Sequence, residues 1–140
     1  MKLNFTMSEL LHSDIAEKYN ISNIPDKQSL DCLLELIVNC LQPIRDYLGK
    51  PMNISSGYRS PRLNGHPLIN GAATSQHVKG QAADFTIKGM TPKQIIDKVV
   101  ASGIVYDQLI DELCWVHISY RKNNNRKQAL KYRNGRYTTF

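Results

Sequence analysis

The sequence predicts a single α+β domain, a small antiparallel sheet with flanking helices, and three observations carry that prediction. The chain has 140 residues, enough for one core without disulfide staples. Its hydrophobic content of 41% and charged content of 21% are those of an ordinary globular chain. Helix-like and strand-like patterns follow one another in the order helices, strand, loop, strand, helix, strand pair, with no internal repeat.

Each element has a local reason. Residues 6–19 read as one short helix, with Ser8 as N-cap and Leu10, Leu11 and Ile15 on one side. Residues 20–27, containing Pro25, form a connecting loop. From Ser29 onward Leu30, Leu33, Leu34, Ile37, Leu41, Ile44 and Leu48 recur at helical spacing. Asp26 or Ser29 caps that helix, Pro43 should kink or divide it, and Gly49 ends it. The stripe is core and carries no chemistry.

Residues 51–56 alternate weakly, as a strand does, and residues 57–61 turn out of it. Residues 63–73, with Asn64-Gly65 and Asn70-Gly71, read as a loop. Residues 82–87 read as a strand. Thr91-Pro92 is a strong helix start, Thr91 as N-cap and Pro92 at the first position. Ile95, Ile96, Val99 and Val100 form its buried face, and Gly103 stops it. Residues 105–110 and 115–120 read as two strands joined by a tight connection.

Charge divides the chain. Residues 121–140 contain Arg121, Lys122, Arg126, Lys127, Lys131, Arg133 and Arg136 and no acid, so the net charge of +6 resides there. The expected organisation is a folded domain over 1–120 and a basic C-terminal tail over 121–140. Such a tail is either a solvated, partly disordered end or a means of attraction to an anionic surface, cell-wall polymer or nucleic acid. The three cysteines, Cys32, Cys40 and Cys114, are odd in number and lack CxxC spacing, which argues against a disulfide framework. Cys32 and Cys40, set among leucines and isoleucines, read as buried thiols made in a reducing compartment. No apolar run approaches the ~20 residues of a membrane span. The first residues show no signal-peptide pattern, so the expectation is synthesis in the cytoplasm without a signal peptide.

Two segments hold the chemistry: Ser75-Gln76-His77-Val78-Lys79-Gly80-Gln81-Ala82-Ala83-Asp84 and Trp115-Val116-His117-Ile118-Ser119. They offer two imidazoles and a carboxylate, a zinc ligand set that leaves one position open for water. His77 and Asp84 are too far apart for one helical face. A loop-to-strand arrangement turning at Gly80 lets them converge, with His117 supplied by a neighbouring strand. A bare His/Asp/His triple is by itself a weak signal.

The full pattern, Ser75-x-His77-x-x-Gly80-x-Ala82-x-Asp84 followed by Trp115-x-His117, resembles the M15 family of zinc peptidases. That family includes D-alanyl-D-alanine carboxypeptidases, dipeptidases and phage endolysins, and shares its fold with the hedgehog signalling domain. Ser56-Gly57-Tyr58-Arg59-Ser60-Pro61 resembles the family's arginine-bearing segment, and Tyr106-Asp107-Gln108-Leu109-Ile110 the stretch before its last histidine. The resemblance runs from about residue 5 to about residue 128. It implies a hedgehog/DD-peptidase-like fold and a zinc ion held by His77, Asp84 and His117.

The same resemblance gives Arg59 the task of stabilising a developing oxyanion or holding a substrate carboxylate, which its planar, always charged fork suits. Ser75 is expected either near the substrate or as a loop cap, and Tyr58 at the border of the cleft. Many family members carry the general base three residues before the last histidine, where this chain has Cys114. Glu112 is the better register match for the base, with Asp111 the alternative. Cys114 itself is expected to pack beside Trp115. The implied substrate is a peptide bond of bacterial cell-wall peptidoglycan, cut by a D-Ala-D-Ala carboxypeptidase or an endolysin-like endopeptidase. The basic tail then suits an anionic cell-wall polymer, reached by release during lysis. The alternative is a non-catalytic zinc-containing module of the same fold. Nucleic acid ranks last as a partner, because it leaves the His/Asp constellation without a purpose.

Overall fold

In the computed structural model, which describes residues 2–140, the N-terminal segment forms two short helices where one was expected: α1 (Met7–Leu11) and α2 (Asp14–Lys18). Cap chemistry explains the split. Thr6, rather than Ser8, caps α1: its hydroxyl accepts from the Glu9 N–H, and the Glu9 carboxylate accepts in return from the Thr6 N–H. His12 and Ser13 are extended, and Ser13 accepts from the Ala16 N–H to begin α2.

The long apolar stripe is also divided. α3 (Lys27–Leu36) starts at Asp26, whose carboxylate accepts from the Ser29 N–H at 2.7 Å. A wide π turn (Ile37–Leu41) then leads into α4 (Gln42–Leu48). Pro43 accounts for the widening, since it lacks an N–H and its ring crowds the carbonyl four residues back. Gly49 closes α4 at φ +64.

The rest follows in order: β1 (Asn53–Ser56), α5 (Pro61–Asn64), a 3-10 turn (Gln76–Lys79), β2 (Ala82–Thr86), α6 (Pro92–Ser102), β3 (Gln108–Asp111) and β4 (Val116–Ser119). α5 reaches into the stretch expected as loop, because Ser60 caps it and Pro61 suits its first turn. α6 has the capping box that Thr91 and Gln94 form with each other.

The basic C-terminal segment departs furthest from a solvated end. It forms β5 (Gln128–Arg133) and β6 (Arg136–Thr139), two more strands of the same sheet. The sheet has six strands in the order β1-β2-β4-β3-β5-β6. Neighbours are antiparallel except β3 and β5, which run parallel. Two buried acids hold the added strands. Asp107, fully buried, accepts from the Arg126 backbone N–H and from its Nε and Nη2, the last at 2.7 Å. Asp111 pairs with Arg133 at 3.0 Å.

Strand alternation separates the two faces. Ala83, Phe85, Leu109, Val116 and Ile118 meet the helices, whose Leu33, Leu36, Leu41, Ile95, Ile96 and Val99 complete the main core. Cys40 lies within that core, while Cys32 is only half-buried. The alternate positions, Asp84, Ile110 and His117, face the other way, and the site is built on them.

Candidate metal centre and active site

Asp84 on β2 and His117 on β4 are opposite one another in the antiparallel register, so their side chains emerge side by side. His117 Nδ1 lies 3.0 Å from Asp84 Oδ1, and His77 Nε2 lies 3.4 Å from Asp84 Oδ2. One ligand atom from each of the three lies within 4.8 Å of the others. Asp84 and His117 expose 14% and 13% of their side chains and His77 3%, so the group sits at the bottom of a depression rather than sealed inside.

His77 arrives on the 3-10 turn, and two glycines set its position. Gly80 ends that turn at φ +72, and a Cβ there would lie 2.2 Å from the Ser29 carbonyl oxygen. Gly57 passes equally close to the Leu10 carbonyl, where a Cβ would sit 2.3 Å away. The Gly57 carbonyl accepts a hydrogen bond from His77 Nδ1 at 2.7 Å. A carbonyl can only accept, so the proton is on Nδ1 and the Nε2 lone pair points to the centre.

The electrostatics agree. Burial pushes the His77 pKa down despite the neighbouring Asp84. Burial alone would raise Asp84, but the charges and hydrogen bonds of His77 and His117 outweigh it and hold its carboxyl well below the usual range. A neutral imidazole and an ionised carboxylate are the forms that bind a divalent cation. The donor set therefore fits a metal ion.

The group forms the floor of a cleft of about 660 Å³ whose walls include Arg59, Ser75, Glu112 and Trp115. The Arg59 N–H donates to the His77 carbonyl at 3.1 Å, which ties it to the turn that carries the ligand. Its Nε is buried and has no hydrogen-bond partner. Burial lowers the guanidinium pKa, while Asp84 and Glu112 favour its charge. Glu112 follows β3, in the tight turn where Leu113 takes φ +72. Burial, and then Asp84, raise its carboxyl above the ordinary range, against the pull of His117, Trp115 and Arg59. A carboxylate raised in this way is a stronger proton acceptor than an ordinary one.

A family model described as Peptidase M15 matches residues 3–119. The chain belongs to the M15 peptidase family. Its membership makes it a metallopeptidase, with His77, Asp84 and His117 as the candidate metal site. No curated protein matches it.

The M15 fold sorts the remaining candidates. Asp111 does not wall the cleft: it is 4% exposed, pairs with Arg133, and accepts from the Leu113 N–H at 2.9 Å, holding the turn that presents Glu112. Ser75 caps the turn, its hydroxyl accepting from the His77 N–H at 3.2 Å, and it lines the cleft. Tyr58 is not at the border of this cleft. It is buried in the main core, because its N–H is drawn to the Leu10 carbonyl and its ring packs inward. Cys114 is exposed at the tip of the β3–β4 turn. Of the M15 peptidase's other residues, Asp107 gives no sequence signal of a link to the site, yet Gln76 beside His77 donates to it at 3.1 Å. Tyr132 and Tyr137 are also on the cleft wall, although their segment has the composition of a basic tail.

Proposed function

We propose that the protein is a zinc-dependent peptidase that hydrolyses peptide bonds of bacterial cell-wall peptidoglycan, as a D-Ala-D-Ala carboxypeptidase or an endolysin-like endopeptidase. The observation that carries this reading is that Glu112 and Arg59 wall the same cleft as His77, Asp84 and His117. His77 through Nε2, Asp84 through a carboxylate oxygen and His117 through Nδ1 would hold the ion. Zinc supplies Lewis acidity that activates water and polarises a carbonyl. Glu112 accepts the proton of the attacking water and passes it to the leaving amine. Arg59, on the cleft wall, offers the charge of its guanidinium to the developing oxyanion or to a substrate carboxylate.

The wall setting draws on the surface as well. Arg126 and Arg133 are committed to Asp107 and Asp111, but Lys122, Lys127, Lys131 and Arg136 remain exposed. Those cations support retention on anionic wall polymer. A lysis-associated or phage setting belongs to the same reading. No helix among the described residues is long and apolar enough to cross a membrane.

The test is incubation of the zinc-loaded protein with purified peptidoglycan and with a D-Ala-D-Ala-terminated peptide, products read by mass spectrometry beside Glu112→Ala. The expected result is release of D-alanine or cross-bridge fragments, lowered about 100-fold or more in the variant with zinc binding retained. Zinc bound by the wild type with neither substrate cleaved would favour a binding module instead.

A further inference from the structure

The family match ends at residue 119, so β5 and β6 lie beyond it, yet they complete one wall of the cleft. Register determines what they present. Ile110 faces Leu130 across β3 and β5, and Tyr132 faces Tyr137 across β5 and β6. Ala129 and Phe140 pack against the main core and Arg133 reaches Asp111, so the opposite parity belongs to the face that carries Asp84 and His117. Tyr132 and Tyr137 thus line the cleft, with ring centroids 4.7 Å apart. They keep 37% and 58% of their surface exposed. The Tyr137 hydroxyl is held up in pKa first by burial and then by the Glu112 carboxylate, which places it on the side of the proposed base.

We propose that Tyr132 and Tyr137 form a substrate subsite that grips an extended peptide about three to four residues from the bond cleaved. This rests on the peptidase reading and narrows it to extended peptides rather than free dipeptides. The distance follows from the sheet. β5 and β6 are two and three strands from β4, about 10 and 14 Å at ~4.8 Å per strand, and an extended chain covers that in about three to four residues. A dipeptide bound over His77, Asp84 and His117 falls short of the tyrosines. The paired rings offer flat apolar faces with hydroxyls at their tips, suited to a peptide backbone and its side chains.

Trp115, the one tryptophan of the chain, lines the same cleft, so its fluorescence reports occupancy without turnover. The zinc-loaded Glu112→Gln protein is titrated with D-Ala-D-Ala and with L-Ala-D-Glu-L-Lys-D-Ala-D-Ala. The pentapeptide should bind about 10-fold more tightly. Tyr132→Ala and Tyr137→Ala should each erode that advantage and leave the dipeptide unchanged, while Tyr132→Phe and Tyr137→Phe keep most of it. Equal affinity for the two lengths, absence of binding by either, or an advantage that survives both alanine variants overturns the subsite. The length dependence decides the matter even where an alanine variant fails to fold. Parallel cleavage assays on the wild type separate the two readings. A pentapeptide held by the tyrosines but never cut sinks the peptidase and leaves the subsite. Cleavage with no dependence on length or on the tyrosines does the reverse.

Discussion

Gly80 shows how tightly single positions control this site. Its φ of +72 already costs an L-residue ~1–2 kcal/mol, and the Ser29 carbonyl occupies the place of a side chain. Gly80→Ala should therefore destabilise the fold by about 2 kcal/mol or more, as urea denaturation would show. It should also weaken zinc binding in a calorimetric titration, because the strained turn carries His77. Asp107 is the second such position. Burial alone would raise its pKa, but hydrogen bonds from Arg126 and Gln76 hold it below the ordinary value. A carboxylate depressed in the folded state contributes its full stability above the unfolded pKa of ~3.9 and loses it as pH falls through the folded one. Asp107→Asn should thus cost about 2–3 kcal/mol at pH 7. Its urea-derived stability should also fall less steeply than that of the wild type from about pH 4 downward. An unchanged slope there would remove Asp107 from the acid response.

At the scale of elements, local chemistry and long-range packing divide the outcome. The N-cap at Thr91, the stop at Gly103 and a cap at Asp26 or Ser29 involve residues within a few positions of each other, and each was legible; the structure chooses Asp26. The division of the first helix was not legible: one helix capped by Ser8 is what residues 6–19 suggest, whereas Thr6 and Ser13 each cap a helix of their own. The β5–β6 hairpin carried its own signal in Asn134-Gly135, which sit at φ +52 and +76 as a two-residue hairpin turn requires. Seven basic residues and no acid between 121 and 140 mask that signal. Gly135→Val should cost about 1–2 kcal/mol, since a β-branched residue resists that conformation. Hydrogen exchange should accelerate at β5 and β6, with zinc affinity unchanged. Protection that stayed the same would mean that the turn does not hold the hairpin.

At the scale of the whole molecule, the hairpin is part of the sheet's integrity. Without it β3 would present an unpaired edge, and Asp107 and Asp111 would remain without their arginines. A chain ending at residue 120 is therefore expected to unfold or aggregate, as size-exclusion chromatography and circular dichroism would reveal. A folded, monomeric 1–120 chain with full zinc affinity would show that the hairpin is an appendage. The same placement gives the molecule its two-sided plan, with helices on one face of the sheet and the cleft on the other.

The kinds of group and the local turns were readable from the residues: two imidazoles and a carboxylate, the glycine between them, the caps and the helical core stripe. Those follow from residue chemistry and from spacings of a few residues. Which groups share a face depended on the folded sheet. Asp84 stands beside His117 because of strand register across 33 residues. Glu112 walls the cleft while Asp111 turns away, because successive residues of a strand face opposite sides and Arg133 waits on the far one. Tyr58 went to the core, and the basic segment became two strands because its arginines meet acids 19 and 22 residues earlier. Such pairings depend on where the chain returns in space, and no local pattern records that.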